Sequence, residues 1–509
     1  MRTAIRLLRD TYLDSVLQLT GTRAMRGVAG VHWATAAMAT PANVETVRGQ
    51  GFDPDGTLTP GDLMLAVRAA DDGCVAAAFE AGERAMFGAR ELGTAPATSP
   101  PRSLEEALRA QPDSSIAIVS VPGDYAALEA HKALARGLDV LLFSDNVSVA
   151  DEIALKEHAA RRGRILMGPG AGTARLAAVG LGFANQVRDG PVGVVAAAGT
   201  GAQEVMALLD RWGVGVSHVI GLGGRDLSAA VGGRMAARAL QALRDDPQTE
   251  LILLVSKPPA PDVARRVLAL AGDTPVVAAL VGVDRTITAP PGVTVTDTLE
   301  GGVVATVERL GGAVPDLGVR HGPDLADVIA GLDPARTAVR GLYSGGTLCY
   351  EALVLLGRTL GPVWSNTPID PRRGLPAPAR ASVCLDLGEE EFTRGRPHPM
   401  IDAEARIEPL REAGRDTSVA AVLVDVVLGH GSHPDPAGTL APACAELTGR
   451  GGPQVVAYVL GTEKDPQGYA DQVRRLVDAG CIVTETAARA ALTAAAIATR
   501  RPEIAAATP

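Results

Sequence analysis

Two stretches of this sequence share one design: VAAAGTGAQEVMALLD at Val195–Asp210 and LYSGGTLCYEALVLLG at Leu342–Gly357. Each starts with a short apolar segment, passes through a turn of small residues, and continues with helix-forming residues that include a glutamate. This order predicts a buried strand, a glycine turn and a helix, the repeating unit of a parallel α/β sheet. Because the unit occurs twice, the sequence predicts an internal duplication.

The alternation of strands and helices extends on both sides of these stretches and predicts an α/β fold with parallel sheets and right-handed crossovers. One α/β domain is expected at 104–189, followed by two copies of a second module at 190–314 and 336–509. The copies differ mainly by an insertion in the second one, EEEFTRGRPHPMID at 389–402.

The N-terminal residues show a different succession of apolar segments, and 1–98 are expected to form a small α+β domain. We expect strands at 12–21 and 61–69 and an amphipathic helix at 72–91. A linker rich in proline and serine follows at 93–103.

The composition excludes several classes of protein. A net charge of −10 argues against nucleic acid as the main partner, since phosphate contacts need clustered basic residues. No apolar run is long enough to span a bilayer, and no secretory signal pattern is present. The 5 cysteines show no CxxC pair or metal-ligand spacing, which is typical of reduced cysteines in a cytoplasmic protein.

The glycine turns are candidates for anion binding. Backbone N–H groups at the start of a helix lack intrahelical partners and, with the helix dipole, attract anions. Two such helix starts facing each other would hold one phosphate from both sides. The alternative is an ordinary pair of strand-to-helix turns in which glycine serves only the backbone conformation.

Four segments within about 104–310 carry a resemblance to a known family: VPGDYAALEAHKAL, RILMGPGAGTARL, GPVGVVAAAGTGAQEVMALLDRWGVGVSHVIGLGG and DDPQTELILLVS. Their order resembles the NDP-forming acyl-CoA synthetases, including the succinyl-CoA synthetase α subunit. Nearly the whole chain resembles the FdrA family, through TPANVETVRGQGF, GLYSGGTLCYEAL, TRGRPHPMID and GHGSHPDPAG. The resemblance implies a Rossmann-like domain of the CoA-binding type and two flavodoxin-like ligase domains after the small N-terminal domain.

In the synthetases, helix starts from two ligase domains converge on a phosphohistidine. The resemblance therefore implies phosphate ligands at the matching positions, which are Gly199, Thr200, Gly201, Ser344, Gly345, Gly346 and Thr347.

The chain also departs from the synthetase pattern. Its first 98 residues contain no glycine-rich nucleotide loop, so CoA binding would rest on the surviving GPGAG turn, at Gly168, Pro169 and Gly170. The segment after PVVAALVG lacks the catalytic histidine, and Lys257 stands where the acidic residue that orients it is expected. The chain has no ATP-grasp domain, so use of a nucleotide would require a partner subunit.

Other charged residues are candidates to replace the histidine. Lys257 follows a predicted parallel strand, where it would hold phosphate as a point charge or would simply be a solvated loop residue. Two loops of the second copy supply further candidates for proton transfer and for binding anions or substrate. They are His433, Asp435 and His430 in one loop, and Arg394, Arg396, His398 and Asp402 in the other. For His430, a structural turn is favoured, and no metal site is expected.

The FdrA resemblance implies a subunit of a carbamoyltransferase in anaerobic purine or allantoin breakdown. The implied reaction converts oxalurate and phosphate into oxamate and carbamoyl phosphate, with phosphate or carbamoyl phosphate as the ligand. Lys257, Arg396 and His398 would neutralise charge, His433 would transfer a proton, and Asp435 would contact substrate. One alternative is an acyl-CoA synthetase that works with an ATP-grasp partner, and another is a non-catalytic scaffold subunit. All three imply partner subunits or a homo-oligomer.

Overall fold

The structure is a computed structural model that describes residues 1–54, 56, 58–88, 101–283, 287, 289–393, 396–448 and 451–509. The strands are β1 (Arg2–Leu8), β2 (Val31–Met38), β3 (Leu63–Ala69), β4 (Ile116–Val119), β5 (Asp139–Leu142), β6 (Leu166–Met167), β7 (Thr173–Leu176), β8 (Val179–Gly182), β9 (Asp189–Ala197), β10 (Val216–Gly221), β11 (Leu251–Ser256), β12 (Val276–Leu280), β13 (Val293–Thr296), β14 (Arg320–His321), β15 (Ala338–Tyr343), β16 (Val363–Ser365), β17 (Ser382–Asp386), β18 (Val419–Val427), β19 (Gln454–Leu460) and β20 (Ile482–Thr484).

The α-helices alternate with these strands along most of the chain. They are α1 (Ser15–Arg26), α2 (Pro41–Gly49), α3 (Asp72–Phe87), α4 (Leu104–Ala110), α5 (Gly123–Ala135), α6 (Val149–Arg161), α7 (Gly199–Arg211), α8 (Arg234–Arg244), α9 (Pro261–Leu268), α10 (Leu299–Arg309), α11 (Leu325–Gly331), α12 (Gly346–Leu360), α13 (Glu390–Thr393), α14 (Ile407–Arg415), α15 (Pro436–Thr448), α16 (Tyr469–Asp478) and α17 (Ala487–Thr499).

The chain divides into two compact units. Unit 1 is Met1–Pro100 with Gly388–Asp402, and unit 2 is Pro101–Leu387 with Ala403–Pro509. The inserted segment of the second copy thus belongs with the N-terminal residues. Most of the linker predicted at 93–103 lies outside the described residues, and the boundaries of the four domains stay predictions.

Unit 1 contains an antiparallel sheet in the order β1-β3-β2, with α1 and α3 packed together. The strand predicted at 12–21 is wrong, because those residues lie largely in α1. Asp14 begins that helix, since its carboxylate accepts hydrogen bonds from Val16 N and Leu17 N. The apolar residues at 13, 16 and 17 follow helical spacing. In a segment as short as 12–21, this spacing is easily mistaken for that of a strand.

Gly21 allows α1 to approach α3 closely. A Cβ atom on Gly21 would lie 2.5 Å from the sulfur of Met86. We expect Gly21→Ala to lower the free energy of unfolding of unit 1 by about 1–3 kcal/mol, because an added methyl overpacks this contact. Gly49→Ala is the control, since a Cβ there meets no described atom within 4 Å. Equal denaturant midpoints for the two variants would contradict the prediction.

Unit 2 contains the predicted duplication. Its two large sheets run β13-β12-β11-β9-β10-β7-β8 and β14-β20-β19-β18-β15-β17-β16. The first five strands of the first sheet correspond, in their order across the sheet and along the chain, to β20-β19-β18-β15-β17 of the second. The pairings among these ten strands are parallel. The strand order therefore confirms the internal duplication and the α/β fold class.

A smaller parallel sheet, β4-β5-β6, precedes the two large ones. Its core is continuous with that of the first large sheet, and both are built from aliphatic side chains. The second large sheet has its own core around β18 and β19. Among the described residues, no helix is long and apolar enough to cross a membrane.

Candidate functional site

The two glycine turns meet inside unit 2. α7 begins at Gly199 after β9, and α12 begins at Gly346 after β15. The backbone N–H of Thr347 donates to Thr200 Oγ1 at 3.2 Å, so the helix starts are in direct contact. A Cβ on Gly345 would lie 2.9 Å from the methyl group of Thr200, which explains the glycine there. The sequence alone left this contact between the repeats undecided.

The second turn is already filled by a carboxylate. Asp425, from β18, accepts hydrogen bonds from Ser344 N at 2.8 Å, Ser344 Oγ at 3.0 Å and Gly345 N at 2.8 Å. Arg406 Nη1 donates to the same carboxylate at 2.8 Å, and both side chains are almost completely buried. Burial lowers the pKa of the Arg406 guanidinium, and Asp425 opposes that shift. A phosphate at this turn would have to displace a buried ion pair.

The first turn is open. Its first two residues reach the surface, with Gly199 exposed and Thr200 half-buried, whereas Gly201 is buried. In the described part of the chain, no group accepts a hydrogen bond from the backbone N–H of Gly199, Thr200 or Gly201. The turn lies between β9 and β11, where the strand order of the first sheet reverses and ligands bind in open α/β folds. This turn can therefore accept an anion without displacing a carboxylate.

Lys257 lies at the same edge. Ser256 pairs with Ala197, so Lys257 follows directly beside the residues that lead into the first turn. Its ammonium group lies 5.4 Å from the ring centroid of Tyr350 on α12. Burial raises the pKa of the neighbouring Cys349 thiol, and the charge of Lys257 opposes that rise. The lysine thus places a positive charge near the start of α12, and its backbone follows β11 beside the strand that leads into the first turn. Its role at a phosphate stays a prediction.

His433 and Asp435 stabilise the loop before α15. Asp435 N donates to His433 Nδ1 at 3.0 Å, so a neutral His433 carries its proton on Nε2. The Asp435 carboxylate accepts from Gly438 N at 3.1 Å and from Gln472 Nε2 at 2.9 Å. These contacts give both residues a structural role, and their predicted catalytic and substrate roles stay predictions.

His430 contacts the segment at 184–186, and the structural turn favoured for it stays a prediction. It forms a backbone bridge to Ala184, and its Nε2 lies 2.9 Å from Gln186 Nε2. Neighbouring Asn185 donates to Leu428 O at 3.1 Å and to Asp465 Oδ2 at 2.8 Å. The chain's own segment at 184–186 therefore covers the carboxyl ends of β18 and β19, where a ligand would lie in an open sheet.

Arg396 and His398 belong to unit 1, whereas the glycine turns belong to unit 2. Arg396 Nη2 donates to Thr46 Oγ1 of α2 at 2.7 Å, which ties the insertion to the N-terminal residues. Met400 N donates to His398 Nδ1 at 3.2 Å. His433 accepts the equivalent hydrogen bond from Asp435 N, which is also two residues after the histidine. Their proposed roles at a phosphate stay predictions, and Arg394 lies outside the described residues.

The GPGAG turn is tightly packed. The peptide bond from Gly168 to Pro169 is cis. A Cβ on Gly168 would lie 2.3 Å from Leu142 O, and one on Gly170 would lie 2.5 Å from Asp145 Oδ1. Glycine is thus required there by close packing, and the use of Gly168, Pro169 and Gly170 for CoA stays a prediction.

Sequence reasoning missed Asp425 and Arg406, which decide that only one of the two turns is open. No motif marks Asp425, because it sits inside an apolar strand, VAAVLVDVV at 419–427. That position was itself a signal, since a charged residue in a fully buried strand needs a partner.

Comparison with known proteins agrees with this architecture. The chain is 40% identical to YahF of Escherichia coli strain K12 over 518 aligned positions, which cover 97% of this chain and 98% of YahF. The chain belongs to the YahF family. Residues 342–497 of this YahF-family chain match a family model described as CoA-ligase, and residues 1–99 match one described as AllF, heavy metal-associated domain.

Two further proteins resemble parts of the chain. The succinate–CoA ligase [ADP-forming] α subunit of Methanothermobacter thermautotrophicus is 28% identical over 149 residues, which is 28% of this chain and 49% of that one. The apo dinucleotide-forming acetyl-coenzyme A synthetase 1 of Candidatus Korarchaeum cryptofilum has 16% identity and a TM-score of 0.31, covering 77% of this chain and 84% of that one.

The residues of unit 1 do not fit the metal that the name of its family model suggests. Cys74 is the single cysteine among residues 1–99. Hydrogen bonding to Asp71 raises the pKa of its thiol, which disfavours the thiolate that binds metals. Across the described ranges, no group of three or more His, Cys, Asp or Glu residues is placed to hold a metal ion.

Proposed function

We propose that this chain is a subunit of a carbamoyltransferase that binds phosphate at the open turn, Gly199–Gly201, on an acyl-CoA synthetase-like scaffold. One observation carries the proposal: within the described ranges, the backbone N–H groups of Gly199–Gly201 have no acceptor, and the turn that carries them follows β9 beside the strand that precedes Lys257. The AllF-type N-terminal domain and the resemblance to the FdrA family support this choice.

The differences between this sequence and those of the synthetases support direct transfer of the carbamoyl group to phosphate. Residues 283–293, after the strand that should lead to the catalytic histidine, contain no histidine. Lys257 takes the place of the acidic residue that would orient it. A positive charge there favours an incoming phosphate, whereas it would oppose an imidazolium.

The proposed reaction balances without a phosphohistidine or CoA. A phosphate oxygen attacks the carbamoyl carbon of oxalurate, and a new C–O bond forms. The C–N bond to the oxamate nitrogen breaks, and that nitrogen takes up the proton that hydrogen phosphate loses. The N–H groups of the open turn orient the phosphate, and Lys257 neutralises charge on its oxygens. Partner subunits would supply the remaining parts of the site.

Gly199→Pro tests the phosphate site. Gly199 is the first residue of α7, where proline fits the helix, and the preceding Ala198 is extended, as a residue before proline should be. The variant removes one N–H donor, and we expect phosphate and carbamoyl phosphate affinities to fall about tenfold in calorimetric titration. Gly199→Ala keeps the donor and is the control. Equal affinities for the two variants would disprove binding at this turn.

The two alternatives give different titrations. An acyl-CoA ligase would bind CoA tightly through the GPGAG turn, with or without phosphate. A scaffold subunit would bind neither ligand, and only its partners would carry the chemistry. Titration of the purified chain with CoA and with carbamoyl phosphate therefore separates the three functions.

A further inference from the structure

Two buried glutamates of unit 2 each contact the opposite repeat. Glu204 on α7 and Glu351 on α12 occupy the same place in the two copies, five residues after Gly199 and Gly346. Both side chains are 1% exposed. A carboxyl group at such depth requires a structural or functional reason, because burial disfavours its charged form.

Each glutamate contacts the last helix of the opposite copy. Leu299 N, at the start of α10 in the first copy, donates to Glu351 Oε1 at 2.6 Å. Ala487 N, at the start of α17 in the second copy, lies 3.5 Å from Glu204 Oε1. Tyr458 Oη also donates to Glu204 Oε2 at 2.6 Å. The first helix of each repeat thus holds the closing helix of the other.

The groups around Glu204 do not neutralise it fully. Tyr458 is a neutral donor from β19. Arg211, on α7 itself, is shared, since it pairs with Glu485 at 2.9 Å and lies over the ring of Tyr469. Burial, as the largest cause, raises the pKa of Glu204 to about 7, and the charge of Glu300 on α10 adds to the rise.

Glu351 is surrounded by acidic groups. Its Oε2 is buried and has no hydrogen-bond partner in the described part of the chain. Burial raises its pKa to about 8, with further contributions from Glu204, Glu300 and Asp297. The basic groups nearby are engaged: Arg489 donates to Glu300 at 2.6 Å, and Arg358 to Asp297 at 2.6 Å.

We propose that Glu204 and Glu351 form a proton-dependent clamp between the two repeats, closed while the carboxyls are protonated and loosened when both are ionised. Ionisation places two negative charges in a buried interface that already contains Glu300. The closing helices α10 and α17 are the elements that respond, because their first residues contact the clamp. The hydrogen bonds from Leu299 N and Ala487 N favour the ionised carboxylates, but burial has the larger effect on both pKa values and favours the protonated form. This proposal is independent of the reaction at the open turn.

The direction of the pH effect follows from linkage. Both carboxyls have higher pKa values in the folded state than in an unfolded chain, so the folded state binds more protons. Stability from this source is present at acidic pH and is lost as pH rises through about 7 and about 8.

Hydrogen exchange measured residue by residue tests the clamp. After correction for intrinsic exchange, protection at the first turns of α10 and α17 is expected to fall about tenfold between about pH 6 and about pH 9. Glu351→Gln keeps the acceptor for Leu299 N but does not titrate. Hydrogen-exchange protection at the first turn of α10 should therefore depend less on pH in this variant. Glu308→Gln, on the exposed face of α10, is the control.

A second variant keeps the test decisive if Glu351→Gln folds poorly. Glu204→Gln retains the acceptor for Tyr458 Oη and should flatten the pH dependence at α17. Protection that is independent of pH in the unmodified chain would overturn the proposal. The same holds if both glutamine variants keep the full pH dependence.

Discussion

Replacing Asp425 with alanine is expected to lower the free energy of unfolding of the chain by about 3–5 kcal/mol. The substitution leaves the guanidinium of Arg406 buried without its anion, and it removes the acceptor for Ser344 N and Gly345 N. Chemical denaturation followed by circular dichroism measures the loss. A change below about 1 kcal/mol would show that the pair is not needed to hold the second turn.

Two controls separate charge from packing at this position. Asp425→Ala with added formate should regain part of the lost stability, because a small anion can refill the space between Arg406 and the turn. Asp425→Asn combined with Arg406→Met removes both charges, and it should be more stable than either single variant. Absence of both effects would mean that Asp425 acts through its volume alone.

Replacing Lys257 with methionine is expected to weaken phosphate binding about 10- to 100-fold, since a hydrogen bond or ion contact to a charged group is lost. Lys257 is half-buried, so the melting temperature should stay nearly unchanged. Lys257→Arg keeps the charge and should retain most of the affinity. Calorimetric titration with phosphate and carbamoyl phosphate measures all three proteins.

The matched control is Lys132→Met, which removes a surface lysine of unit 2 that pairs with Glu129. If Lys257→Met and Lys132→Met change the affinity equally, the effect reflects net charge rather than a contact at the open turn. If Lys257→Met binds phosphate as well as the unmodified chain does, the proposed site is wrong.

The strands and helices of unit 2 follow closely from sequence periodicity, because parallel strands buried on both faces give long aliphatic runs that end at glycine turns. Unit 1 was harder to predict. The residues at 12–21 look like a strand until Asp14 is recognised as a helix cap. The insertion at 389–402 could not be assigned to unit 1 from its place in the chain, since that depends on contacts between distant residues such as Arg396 and Thr46.

The sequence by itself determined the α/β class, the duplication and the presence of two glycine turns, because these depend on local patterns of apolar and small residues. Only the tertiary structure decided how the two turns differ. Asp425 lies 80 residues from Gly345 and fills one turn, while the other remains open beside Lys257. Local sequence patterns do not reveal such pairings, because burial and electrostatics depend on which distant residues the fold brings together.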